Sequence, residues 1–192
     1  MGSKVGIDAV VIGASWGGLG AVTSVLSKVP WRINASIVLC QHQYPHAIST
    51  LSQVLRGRTK LKVMEVEDKL PLEPGVLYVC PPNYHTLIER DHTFALNIDP
   101  AVMYCRPAID VLFETAAEAY GDRLAGIVLT GANEDGADGL FHVARCGGMP
   151  IVQKPATAEV PIMPEAALRR VPWAHVMTLG EIGDFVASLA AA

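Results

Sequence analysis

The sequence predicts an α/β protein: a doubly wound, mostly parallel sheet with helices on both faces and a short antiparallel strand insert. Three observations lead there. Apolar, β-branched runs alternate with stretches of helical period along the chain. The runs Val10-Val11-Ile12 and Ile37-Val38-Leu39 lack polar alternation, as strands covered on both faces do. Turn signals break that rhythm only between residues 61 and 99. Of the 192 residues 51% are hydrophobic, enough for one sizeable core, and no linker, repeat or second composition regime divides the chain. Residues 1–192 therefore read as a single domain.

Taken in order, a strand at 9–12 leads into a helix at 19–28, and a strand at 35–39 into a helix at 47–55. Short strand pieces follow at 61–66, 76–79, 86–89 and 94–98, separated by Pro-Gly, Pro-Pro-Asn and Asp-His turns, which predicts an antiparallel insert or edge. From Arg106 to Tyr120 the helical period returns, with Pro107 at an early position, Ile109, Leu112, Phe113 and Ala116 on one face, and Gly121 as the stop. A strand at 127–129 precedes a helix at 137–146. Beyond Ile151-Val152-Gln153, the tract 154–164 carries prolines at 155, 161 and 164 and reads as a lid or binding loop. Helices at 165–170 and near 180–189 complete the chain.

The formal net charge of −4 and the scattered basic residues argue against nucleic acid or an anionic membrane as partner. Four cysteines, Cys40, Cys80, Cys105 and Cys146, stand far apart with no Cys-x-x-Cys pair, which fits a reduced, cytoplasmic setting. Cys40 and Cys80 end apolar runs and read as small buried hydrophobes. No signal peptide is evident and no apolar run approaches the roughly 18 residues of a membrane span, so no membrane insertion is expected.

Chemistry concentrates at the ends of the strands. The stretch Gly13-Ala-Ser15-Trp-Gly17-Gly18 presents a serine on a glycine-flanked turn between strand and helix, as a nucleophile or as a phosphate-cradling turn. A serine hydroxyl needs a base to take its proton and a third group to orient that base. The second strand runs into Gln41-His42. The strand at 127–129 runs into Thr130-Gly131-Ala132-Asn133-Glu134-Asp135-Gly136, where Asp135 is the leading acid, or a helix N-cap, and Glu134 an alternative. In open α/β sheets this edge collects ligands. A His42/His46 metal pair is weak, since Pro45 interrupts the spacing and no third ligand is evident nearby. His85 reads as a turn residue or a cleft neighbour, and His92, His142 and His175 as solvated or packed. Neither a metal nor a cofactor is expected. A Rossmann-type nucleotide site is opposed by Ser15 in place of the second fingerprint glycine and by the lack of an acid after the second strand.

These loops together resemble the catalytic domain of the CheB family of bacterial chemotaxis receptor methylesterases. The resemblance rests on Gly13-Ala-Ser15-x-Gly17-Gly18, Gln41-His42, Pro74-Gly75 followed by a strand and a turn reaching His85, Arg106-Pro107-x-x-Asp110-Val-Leu-Phe113, Leu129-Thr130-Gly131-x-x-x-Asp135-Gly136-Ala137, and Met163-Pro164. It implies a triad of Ser15 as nucleophile, His42 as general base and then acid, and Asp135 as orienting acid. The oxyanion donors it implies are the backbone N–H groups of Trp16 and Ala132. The implied reaction is hydrolysis of glutamyl methyl esters on chemoreceptor cytoplasmic helices, with glutamine deamidation as a related activity. Family members often carry a phosphoacceptor receiver domain; none precedes the first strand here, so the sequence reads either as a catalytic domain unregulated by phosphorylation in cis or as one excised from a longer protein, with a regulatory receiver domain or protein in trans as a candidate partner. Three departures bear on the substrate surface: Trp16 where the family has a small polar residue, Ala132-Asn133 in place of Met-Gly, and an altered segment at 157–164. A catalytically silent interaction domain, with Trp16 plugging the cleft, is the competing reading.

Overall fold

The computed structural model describes residues 6–44 and 50–190. A seven-stranded sheet forms its centre, built from β1 (Ala9–Ala14), β2 (Ser36–Gln41), β3 (Lys62–Glu65), β4 (Val76–Val79), β7 (Leu124–Val128), β8 (Met149–Gln153) and β9 (His175–Met177), in the order β3-β4-β2-β1-β7-β8-β9. Every pairing in it is parallel. A separate antiparallel pair, β5 (His85–Ile88) and β6 (Phe94–Asn97), stands beside it.

The insert is thus shorter than the turn signals suggest. Of the four strand pieces between 61 and 99, the first two join the parallel sheet and only the last two form a hairpin. Short length and nearby turns are common to both kinds of strand. What separates them is that β4 is buried along its whole length and pairs with β2, a tertiary fact.

Two cores lie on either side of the sheet, and β1 divides its side chains between them with the period of two that a strand imposes. Val10, Ile12 and Ala14 face α1 (Gly18–Leu26), α2 (Leu51–Arg56) and α6 (Leu179–Ala187). Ala9 and Val11 face α3 (Ile109–Tyr120), α4 (Ala137–Arg145) and α5 (Ile162–Arg170). The continuous apolar reading of the strand follows from this double burial. Cys40 and Cys80 are fully buried, as expected. The predicted face of α3 is the buried one, with Pro107 ahead of the helix and Gly121 closing it at φ 58°. Part of the helix read at 47–55 lies outside the described residues.

The helix after β1 covers one face and the helix after β7 the other. The crevice at the carboxyl ends of these neighbouring strands is therefore the switch point of the winding, where open α/β sheets hold their ligands. Among the described residues no helix is long and apolar enough to cross a membrane.

Candidate active site

Ser15 follows β1, His42 follows β2, and the 130–135 loop follows β7, so all three predicted segments meet at one rim. The turn after β1 is tied down through its backbone: Ser15 N–H donates to Thr130 O at 3.0 Å, Gly18 N–H to Ser15 O at 2.9 Å, and Gln41 Nε2 to Ser15 O at 2.8 Å. The two flanking glycines have different reasons. Gly17, at φ 75°, caps α1 in the left-handed region, as the turn reading requires. Gly13 lies within β1, where a Cβ would stand 2.4 Å from Ile109 Cγ2; it admits the start of α3 and does not bend the chain.

His42 and Asp135 are brought together. The imidazole Nε2 lies 2.7 Å from Asp135 Oδ2, with the carboxylate wholly buried and the ring only 10% exposed. Burial pulls the His42 pKa down, but the hydrogen bonds to Asp135 and Cys105 outweigh it and raise the value to about 9. With Nε2 taken by the acid, Nδ1 is the nitrogen left to receive a proton. Cys105 Sγ stands 3.5 Å from it.

Asp135 does act as a cap, though not for the helix it precedes. Its Oδ2 accepts from Ile109 N–H at 2.7 Å and its Oδ1 from Asp110 N–H at 2.9 Å, at the start of α3. In return Asp110 Oδ1 accepts from Gly136 N–H at 2.9 Å and Gly139 N–H at 2.7 Å, at the start of α4. Two helices thus exchange N-terminal carboxylates, each satisfying the other's orphan donors. Burial and the neighbouring Asp135 push Asp110 up to about 7. Capping and orienting the imidazole, alternatives in the sequence, are both made by this one side chain.

Ser15 is half-buried and shares a cleft of about 520 Å³ with Trp16, Gly17, His42, Gln43 and Tyr44. Its hydroxyl makes no hydrogen bond among the described residues, so Ser15 and His42 line one cleft without the direct bond that a closed triad has. Catalytic hydrogen bonds often tighten only when substrate binds. Among the described residues the backbone N–H groups of Trp16 and Ala132 have no partner, whereas the intervening loop donor, Gly131 N–H, is spent on Val160 O at 3.1 Å. Trp16 turns outward, 61% exposed, with its indole Nε1 donating to Glu159 Oε1 at 3.1 Å. The proline-rich tract thereby reaches the site, through Glu159 and through Val160, whose N–H donates at 2.9 Å to Thr130 Oγ1, the hydroxyl that donates to Trp16 O at 2.9 Å.

Other candidates go elsewhere. Glu134 pairs with Arg169 at 2.8 Å on the surface. His85 is buried, accepting from Ala108 N–H and facing Pro100 O; His92 stacks on Tyr120. His46 lies outside the described residues. Two contacts escaped sequence reading: Cys105 against His42, and the Asp110 end of the carboxylate exchange. Cys105 carries no local motif. Asp110 was visible as a position of the Arg106-Pro107-x-x-Asp110 motif, with no role attached to it.

Comparisons with known proteins place the fold and the family. The CheB methylesterase family model matches residues 10–186. A putative protein-glutamate methylesterase/protein-glutamine glutaminase of Leptospira interrogans is 42% identical over 177 residues, covering 92% of each chain. Protein-glutamate methylesterase/protein-glutamine glutaminase 2 of Caulobacter vibrioides is 36% identical over 188 residues, 96% of this chain but 54% of its own. The crystal structure of the Thermotoga maritima CheB methylesterase catalytic domain superposes with a TM-score of 0.90 at 29% identity, over 97% of this chain and 100% of that one. A match that takes in all but the ends of the chain, and a shared fold, lead to one conclusion: this chain belongs to the CheB methylesterase family.

Proposed function

We propose that this protein is a serine hydrolase that removes methyl groups from glutamyl esters on the cytoplasmic helices of chemoreceptors, and that it deamidates glutamine by the same route. The observation that carries the reading is the buried 2.7 Å contact between His42 and Asp135 at the edge of the cleft that holds Ser15. The names of the relatives support the substrate class.

In this reading Ser15 Oγ attacks the ester carbonyl as His42 Nδ1 takes its proton, and Asp135 stabilises the imidazolium through Nε2. Collapse of the tetrahedral species returns that proton to the departing methoxide, releasing methanol and leaving an acyl-enzyme. Water then repeats the sequence and frees the glutamate. Trp16 N–H and Ala132 N–H hold the oxyanion, and such donors are worth about 3 kcal/mol each in the barrier. The rival reading of a silent domain plugged by Trp16 is opposed by the outward indole held on Glu159.

The test is methanol release from methylated chemoreceptor cytoplasmic fragments by the wild type and by Ser15→Ala. The expected loss is at least about 10³-fold; equal rates would falsify the assignment of Ser15.

A further inference from the structure

His42 stands between two cavities. One is the Ser15 cleft; the other, of about 200 Å³, is lined by His42, Gln43, Asn83, Tyr104, Cys105 and Arg106. Nothing in the hydrolytic reading uses the second, nor the thiol that stands in it against the imidazole.

We propose that His42 Nδ1 and Cys105 Sγ form a binding site for a thiophilic divalent cation, Zn²⁺ by its chemistry, with Asp135 as the outer carboxylate that orients the imidazole for it. Bond lengths decide whether such a pair can share an ion. Zinc lies about 2.0–2.1 Å from nitrogen and about 2.3 Å from sulfur, so a tetrahedral angle between them sets the two ligand atoms about 3.6 Å apart. The observed Nδ1···Sγ separation is 3.5 Å. The pair is spaced for the ion without moving either residue.

The surroundings fit as well. Ligating histidines almost always donate their other ring N–H to a carboxylate or carbonyl, which fixes the tautomer. Here Nε2 faces Asp135 Oδ2 at 2.7 Å, which leaves Nδ1 as the ring nitrogen on the side of the sulfur. Asp135 remains outside the coordination sphere because its oxygens already serve Ile109 and Asp110 N–H as well as the ring, although His42, Cys105 and Asp135 all present ligand atoms within 4.8 Å of one another. Asn133 Nδ2 lies 3.3 Å from Cys105 Sγ and supports a thiolate there. The second cavity has room for the waters that complete a tetrahedron and gives the ion its entry.

Binding releases to solvent the thiol proton and, where His42 is imidazolium, its Nδ1 proton as well, and changes no oxidation state. It also occupies the lone pair that the hydrolytic reading assigns to the Ser15 proton, so the loaded protein is silent until a chelator removes the ion. Metal occupancy is read without reference to hydrolysis. An inactive protein that still binds the ion would leave this proposal standing, and a protein that fails to bind it would leave the esterase reading untouched.

The experiment titrates the metal-free full chain with Co²⁺, a spectroscopic stand-in, and then with Zn²⁺. One equivalent of Co²⁺ should bring up a near-ultraviolet thiolate-to-cobalt band that Zn²⁺ displaces. Cys105→Ser should abolish the band and weaken Zn²⁺ at least about tenfold, and Asp135→Asn should weaken it about 10- to 100-fold. Cys146→Ser, which changes a half-buried cysteine elsewhere, should leave both readings as in the wild type. The absence of a band at one equivalent, or a band that survives in Cys105→Ser, would overturn the proposal.

Discussion

Replacing Asp135 by asparagine tests the coupling between fold and chemistry most directly, because one carboxylate serves two helix N–H groups and one imidazole. Two separable effects are expected. The first is pH-dependent: the His42 pKa of about 9, against an ordinary 6.5, corresponds to roughly 3 kcal/mol favouring the imidazolium. Since the folded value is the higher one, this stabilisation is fully present below pH 6.5 and is lost as pH rises through about 9. Without the carboxylate, burial pulling the value down and the Cys105 contact pushing it up are what remain on the ring, and the inflection falls well below 9. The second effect is independent of pH in this range. Whichever way the amide turns, its NH₂ faces either Ile109 or Asp110 N–H, costing roughly 1–3 kcal/mol. The variant should therefore lose more stability at pH 6 than at pH 10.

For catalysis, at pH 7 only roughly 1% of wild-type His42 is neutral and able to accept a proton. Ester hydrolysis by the wild type should accordingly rise nearly tenfold per pH unit and level off above about 9. In Asp135→Asn the inflection should move to lower pH and the plateau fall by about 10³–10⁴, the size expected when the orienting acid of a triad is lost. The assay is kcat/KM for methanol release across pH 6–10 in chelator-containing buffer, beside urea unfolding at the same pH values. An inflection that stays near 9 in the variant would refute the assignment of Asp135 as the partner that raises it.

Asp110→Asn keeps an acceptor for Gly136 and Gly139 but removes a buried charge beside Asp135. The wild-type carboxyl, raised to about 7 from 3.8, holds its proton more tightly when folded, so wild-type stability falls as pH rises through that window. Urea unfolding at pH 4.5 and pH 8 should show a smaller decline in the variant, and equal declines would count against the shift. Glu159→Ala releases the Trp16 indole and should raise KM for ester several-fold with kcat within about twofold; steady-state kinetics and indole fluorescence check this, and an unchanged KM excludes a role for that contact in substrate binding. Tyr78→Phe strands Pro71 O and Glu73 N–H, which meet the phenol at 3.0 and 2.9 Å. Its thermal unfolding should show a loss of about 1–3 kcal/mol.

The main strands and helices were legible because their signals are local. Double burial wrote continuous apolar runs into β1 and β2, and the buried stripe of α3 was readable residue by residue. The loops bearing Ser15, His42 and Asp135 were legible too, since each interrupts an apolar run with polar side chains at a strand end. The antiparallel insert was overdrawn, because short strands carry no mark of the neighbour they will join.

Local signals along the chain thus carried the doubly wound class, the edge of the sheet where open α/β folds collect ligands, and the candidate residues placed there. Tertiary structure decided their pairings. It turned Asp135 to the start of α3 as well as to His42, aimed the imidazole with Nε2 toward the acid, and set Cys105 against Nδ1 across 63 positions of chain. The physical reason is that hydrophobic period and turn chemistry act over a few residues. A hydrogen bond between side chains a hundred residues apart exists only once the sheet order has brought their strand ends together.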